Sequence, residues 1–137
     1  MTTRFRCRVT PWIVVSLTAV CLSACASTDL ATTRAWIDVP LDGSEIPAGV
    51  EVEVMSHAYA RTGVAEVLLA VNGVPYRRDP PAEPGSELTS AVQMWQPEAP
   101  GDYTLEVVAY AVDGEASAPA VAWVRVLPGA TLTAIVT

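Results

Sequence analysis

The chain has 137 residues, the size of one small domain with room for short flanking segments. Eight arginines, no lysine and fifteen carboxylates leave a net charge of −7. Such a surface repels phosphate backbones and anionic lipid heads, so nucleic acid is not expected as a partner.

The first element follows Arg4, Arg6 and Arg8, a positive segment with no acidic residue, and runs as an apolar stretch from Val9 to Ala24. These sixteen residues, with Pro11 among them, fall short of the ~20 that cross a bilayer core comfortably. The pattern is that of a helical secretory signal peptide; an uncleaved anchor or an ordinary signal with a chance cysteine is the competing reading. The run ends in Leu22, Ser23, Ala24 and Cys25. These four residues resemble the lipobox of bacterial lipoproteins, which implies cleavage after Ala24 and a lipidated Cys25 as the mature N-terminus. Small Ser23 and Ala24 let a peptidase approach the backbone, and the thiol can carry a diacylglycerol. Cys7 lies in the positive segment and Cys21 follows bulky Val20, so neither competes well.

Loss of residues 1–24 removes three arginines and no carboxylate, leaving five against fifteen, a net of about −10. Cys25 is then the only cysteine, so no intrachain disulfide can form and the fold must hold by packing. More than one acyl chain makes membrane attachment effectively permanent, since each buried methylene contributes ~0.8 kcal/mol. The expected location is therefore extracytoplasmic, on the cell membrane or the outer membrane, with membrane lipid as partner through Cys25.

Residues 25–33 are small and polar and are expected to be a flexible tether. Residues 34–127 then make one domain, and residues 128–137, broken off by Pro128-Gly129, are too few for a second.

Inside residues 34–127 the signals are β throughout. Ala35 to Val39 is a short strand ending at Pro40, and Leu41-Asp42-Gly43-Ser44 is turn chemistry leading to Ile46-Pro47-Ala48-Gly49. Val50, Val52 and Val54 alternate with Glu51 and Glu53, which predicts a half-buried strand with its carboxylates in solvent. Val64 to Val71 and Val74 to Arg77 flank Asn72-Gly73, a strong hairpin signal because a type I′ turn needs positive φ at both central residues. The proline-rich stretch from Asp79 to Gly85 must be a loop. Leu88 to Trp95, Tyr103 to Val112 and Ala120 to Leu127 complete about seven strands, expected to be antiparallel and to form a two-sheet sandwich.

Trp36-Ile37-Asp38 with Pro40, Gly43 and Gly49, then Val54 and His57-Ala58, then Gly63 to Val67 running into Val71-Asn72-Gly73, begin a longer pattern. Ala99 to Leu105, Ala109-Tyr110 and Asp113-Gly114 continue it. Together these residues resemble bacterial extracytoplasmic immunoglobulin-like domains, similar in outline to fibronectin type III modules. The resemblance implies an all-β immunoglobulin-like sandwich. It also implies a tyrosine corner at Tyr103, whose hydroxyl would bond back to preceding backbone, and a structural, adhesive or binding role without catalytic residues.

The search for chemistry agrees with that role. Ser56 and His57 are neighbours on an extended segment and face opposite ways, so they cannot act as nucleophile and base. His57 is expected to be a structural hydrogen-bonding residue at a strand end. No nucleophile-elbow, zinc-protease or phosphate-loop motif occurs. No cofactor and no metal are expected; a calcium site from Asp38, Asp42, Asp113 or Glu115 would lack EF-hand spacing. Trp36, Trp95 and Trp123 are expected in the core or between sheets. If Val67, Leu69 and Val71 face the core, Leu68 and Ala70 face outward beside Val74 or Tyr76, an apolar strip suited to a protein partner. Tyr76, Arg77 and Arg78 form the local basic-aromatic cluster, suited to a polyanionic glycan or simply a solvated hairpin end. The expected function is a lipid-anchored structural or protein-binding module. The alternatives are carbohydrate recognition at the envelope and an accessory role at the N-terminus of a longer surface protein.

Overall fold

The computed structural model describes residues 32–129. The expected signal peptide, the lipobox with Cys25, most of the tether and the tail from residue 130 lie outside the described residues.

Eight strands follow one another: β1 (Thr33–Val39), β2 (Ser44–Pro47), β3 (Val52–Ala60), β4 (Val64–Val71), β5 (Val74–Asp79), β6 (Leu88–Trp95), β7 (Gly101–Ala111) and β8 (Ala120–Leu127). They form a three-stranded sheet, β1-β3-β6, and a five-stranded sheet, β2-β8-β7-β4-β5, which together make an immunoglobulin-like β-sandwich. Two corrections to the expected strand set follow. The described residues hold eight strands where about seven were expected, and β2 pairs with β8 in parallel, Ile46 opposite Val126. Ile46 is the one apolar side chain of β2 that reaches the core, so a single buried position stood inside a run of turn residues. Val50 precedes β3 and is exposed, so the buried face of that strand begins with Val52 and Val54 and continues through Ala58 and Ala60.

Alternation builds the core. On β7, Leu105, Val107, Ala109 and Ala111 point inward; on β4, Val67 and Leu69 do, and on β8, Val124 and Val126 do. Fully burying a side chain such as Leu69 or Leu105 contributes about 1.5–3 kcal/mol relative to exposure. Trp95 closes the core from β6 and meets the Tyr103 ring edge-on at a centroid distance of 5.3 Å. The Tyr103 hydroxyl donates to the Ala99 carbonyl, 2.9 Å away, which is the contact of a tyrosine corner.

The hairpin between β4 and β5 turns through Asn72 and Gly73, with φ of 51° and 75°, and Val71 faces Val74 across it. Asn72 also ties this hairpin to β7: its amide N–H donates to the Thr104 carbonyl and its side-chain oxygen accepts the Thr104 N–H, each at 2.8 Å. Gly63, at φ 95°, packs so closely on Gly85 that an added Cβ would lie 2.3 Å from the Gly85 carbonyl oxygen.

Candidate functional site

The strip expected at Leu68 and Ala70 is not exposed. Leu68 retains 7% and Ala70 6% of its accessible surface. Both do face away from the core, but β4 lies between β5 and β7, and neighbours on each side cover them. Leu68 sits between Arg78 and Val108, and Ala70 between Pro75 and Glu106. The Arg78 guanidinium bonds Glu66 and lies 4.7 Å from the centre of the Tyr110 ring.

The basic-aromatic cluster is also divided. Tyr76 occupies the irregularity in the β4–β5 ladder and is exposed. Arg78 takes the outer face, and Arg77 the opposite one, as consecutive strand residues must. Arg77 donates from Nε and Nη2 to the two oxygens of Asp79, at 2.6 and 2.8 Å. Asp79 also accepts from Gln93 Nε2 at 2.9 Å, and the same nitrogen donates to the Val67 carbonyl at 3.2 Å. Gln93 is on β6, so this network joins the two sheets along one side of the sandwich. The Arg77 hydrogen bonds hold the Asp79 carboxyl below its ordinary value, against the opposing effect of burial, with Gln93 adding to the lowering.

Exposed apolar side chains do gather on the outer face of the three-stranded sheet. Three rows cross it: Val39, Met55 and Val92; Trp36, His57 and Ser90; Arg34, Tyr59 and Leu88. Trp36, Val39, Met55, Leu88 and Val92 are all exposed. His57 is therefore in mid-strand on a solvated face, not at a strand end, and its Nδ1 is hydrogen-bonded to Asp38 Oδ2 at 2.6 Å. Ser56 points the other way and is buried. The tryptophan expectation is corrected as well: Trp95 is in the core with 2% exposure, while Trp36 and Trp123 are 44% and 61% exposed. Both sit where alternation offered two apolar faces, and the smaller residues turned inward.

The carboxylates considered for calcium are spread over separate partners. Asp38 bonds His57, Asp42 accepts the Trp123 N–H, Asp113 accepts the Glu115 N–H, and Glu115 bonds Thr32. Among the described residues no group of three or more His, Cys, Asp or Glu side chains is placed to hold a metal ion.

A shallow groove of about 450 Å³ opens on the five-stranded sheet around Gly43, Glu45, Asp102, Trp123, Val124 and Arg125. The turn before β2 clamps the Trp123 backbone: Asp42 Oδ1 accepts its N–H at 2.8 Å, and the Gly43 N–H donates to its carbonyl at 2.7 Å. Arg125 Nε donates to Asp102 Oδ1 at 2.8 Å, a contact that raises the guanidinium above its ordinary value. The alternation of β8 announced Trp123 as a residue of one face; only the pairing with β2 and β7 places it beside these charges.

No family model matches this chain, and no curated protein matches it. Among solved structures, it is similar to the fibronectin(III)-like modules of Clostridium thermocellum CbhA, with a TM-score of 0.56 and 20% identity over 71% of this chain and 100% of that one. It is also similar to the CARDB domain of the PF1109 protein from Pyrococcus furiosus, described in complex with di-metal ions. There the TM-score is 0.51 and the identity 16%, over 69% of this chain and 87% of that one. Likeness at this level of identity concerns the fold: a fibronectin type III-like, immunoglobulin-like sandwich.

Proposed function

We propose that this chain is an exported, lipid-anchored immunoglobulin-like module without catalytic activity, which contacts a protein of the cell envelope through the outer face of its three-stranded sheet. The observation that carries the contact is the run of exposed Trp36, Val39, Met55, Leu88 and Val92 across three paired strands. Apolar groups gathered on one face in this way, with His57 and Ser90 among them, suit contact with a protein, and the pleat of a sheet offers them on a flat surface. The anchor rests on Leu22-Ser23-Ala24-Cys25 after an arginine-flanked apolar run. β1 begins at Thr33, so residues 26–32 are left as tether, and they span at most ~25 Å, which keeps the domain near the bilayer.

Two measurements test the two halves. Intact mass of the chain from a bacterial membrane fraction is expected to show an acylated Cys25 as first residue; Cys25→Ser is expected to lose both the acyl mass and membrane retention. An unmodified mass starting near Ala26 would remove the anchor from the reading. A photo-crosslinker at Val92 is expected to give discrete adducts with envelope proteins that Met55→Asp suppresses. Adducts unchanged by Met55→Asp, or none at Val92, would remove the contact surface.

A further inference from the structure

We infer that the groove at Trp123 is a binding site for a neutral chain of β-linked pyranose rings. This surface is on the opposite sheet from the proposed protein contact and does not depend on lipid anchoring.

The argument starts from the indole. Trp123 is 61% exposed, yet its backbone is held on both polar groups by Asp42 and Gly43, on a strand flanked by β2 and β7. A large apolar ring is thus presented to solvent on a rigid support, and a ligand stacking on it has little backbone ordering to oppose it. The groove volume of about 450 Å³ falls in the range of small-molecule sites.

Its rim selects among ligands. Asp102 and Arg125 pair at 2.8 Å while staying mostly in solvent, with side-chain exposures of 67% and 63%. With Glu45 they line the groove, where two carboxylates can accept from a ligand's hydroxyls and the guanidinium can donate to them. Two carboxylates against one guanidinium leave the rim at −1, within a chain of strongly acidic surface, and that field disfavours polyanions. A group that offers flat C–H surface to an indole, hydroxyls to carboxylates and guanidinium, and no negative charge is a neutral pyranose. The β-linked chains keep their rings extended and flat enough to lie along an open groove. A protein side would meet charges around a single aromatic ring, a poorer match than the apolar face on the other sheet.

The test uses the full chain in detergent, titrated with cellohexaose, chitohexaose and hexagalacturonate and followed by calorimetry and tryptophan fluorescence. Saturable binding of at least one of the two neutral chains is expected. Trp123→Ala is expected to weaken it about tenfold or more, Trp123→Phe less, and Trp36→Ala not at all. Arg125→Gln, which keeps the ring, is expected to weaken binding as well, and far-ultraviolet circular dichroism checks that each variant is folded. No saturable binding of either neutral chain up to about 10 mM would overturn the inference. So would equal binding by Trp123→Ala, or hexagalacturonate bound as tightly as the neutral chains. If Trp123→Ala does not fold, Trp123→Phe and Arg125→Gln decide: affinity unchanged in both overturns the site.

Discussion

Gln93 on one sheet donates to Asp79 on the other across 2.9 Å, and Asp79 is at the same time gripped by both near nitrogens of Arg77. Gln93 is fully buried, so its amide was taken out of water to make this link. Buried polar groups contribute when their partners are in place and cost stability when one partner is removed. The side of the sandwich between β5 and β6 is therefore held by a polar clasp, where most of the interior is held by aliphatic packing.

Gln93→Ala is expected to destabilise the domain by about 2 kcal/mol, from the lost bonds to Asp79 and to the Val67 carbonyl. Urea unfolding at neutral pH measures it. A loss below about 0.5 kcal/mol would mean that the clasp does not hold the sheets.

The same clasp predicts an acid dependence. Arg77 holds the folded Asp79 carboxyl below its ordinary value, so the native state keeps Asp79 ionised where the unfolded chain would protonate it. The stability it supplies is present above the unfolded value of about 3.9 and disappears as pH falls through the lower folded value. The stability difference between wild type and Asp79→Asn is therefore expected to be constant from pH 7 to about 5 and to shrink below about 4. Paired urea titrations check this, and a difference that grows on acidification would contradict it.

Leu68→Ala and Met55→Ala test which surface is covered. Leu68 is nearly buried, so truncation is expected to cost about 2–4 kcal/mol. Met55 is exposed, so truncation is expected to change stability by less than about 0.5 kcal/mol. Thermal melts of the two variants side by side read the difference, and the reverse order would return Leu68 to the outer surface.

Gly63→Ala places a Cβ 2.3 Å from the Gly85 carbonyl oxygen at a φ of 95°, so backbone must move as well as strain. The expected loss is above about 3 kcal/mol. At Gly114, with φ 89° and open space where a Cβ would go, alanine meets the conformational cost alone, about 1–2 kcal/mol. Comparable losses at the two sites would show that the contact with Gly85 relaxes freely.

Tyr103→Phe keeps the edge-on contact with Trp95 and removes only the hydroxyl bond to Ala99. It is expected to cost about 1 kcal/mol, read as a lower urea midpoint at unchanged slope.

The sequence alone determined what depends on neighbours in the chain. Asn72-Gly73 announces its turn because positive φ at two successive positions is a local demand, and both residues have it. Pro100-Gly101-Asp102-Tyr103 announces the corner because the Tyr103 hydroxyl reaches back only four residues, to Ala99. The β class is legible because period-two alternation needs no partner to be seen. The tertiary structure decided what depends on distant pairing. Four residues, Ser44–Pro47, of which only Ile46 is buried, become a strand because β8, some eighty residues later, lies alongside. Leu68 and Ala70 are covered because β4 is flanked on both sides, and the side chains that cover them come from β5 and β7. Trp36, Met55, Leu88, Val92 and Trp123 stand in solvent because both faces of their strands carry apolar groups, so alternation could not say which face was inner. That choice belongs to the opposing sheet, against which valine, alanine and Trp95 pack from these strands.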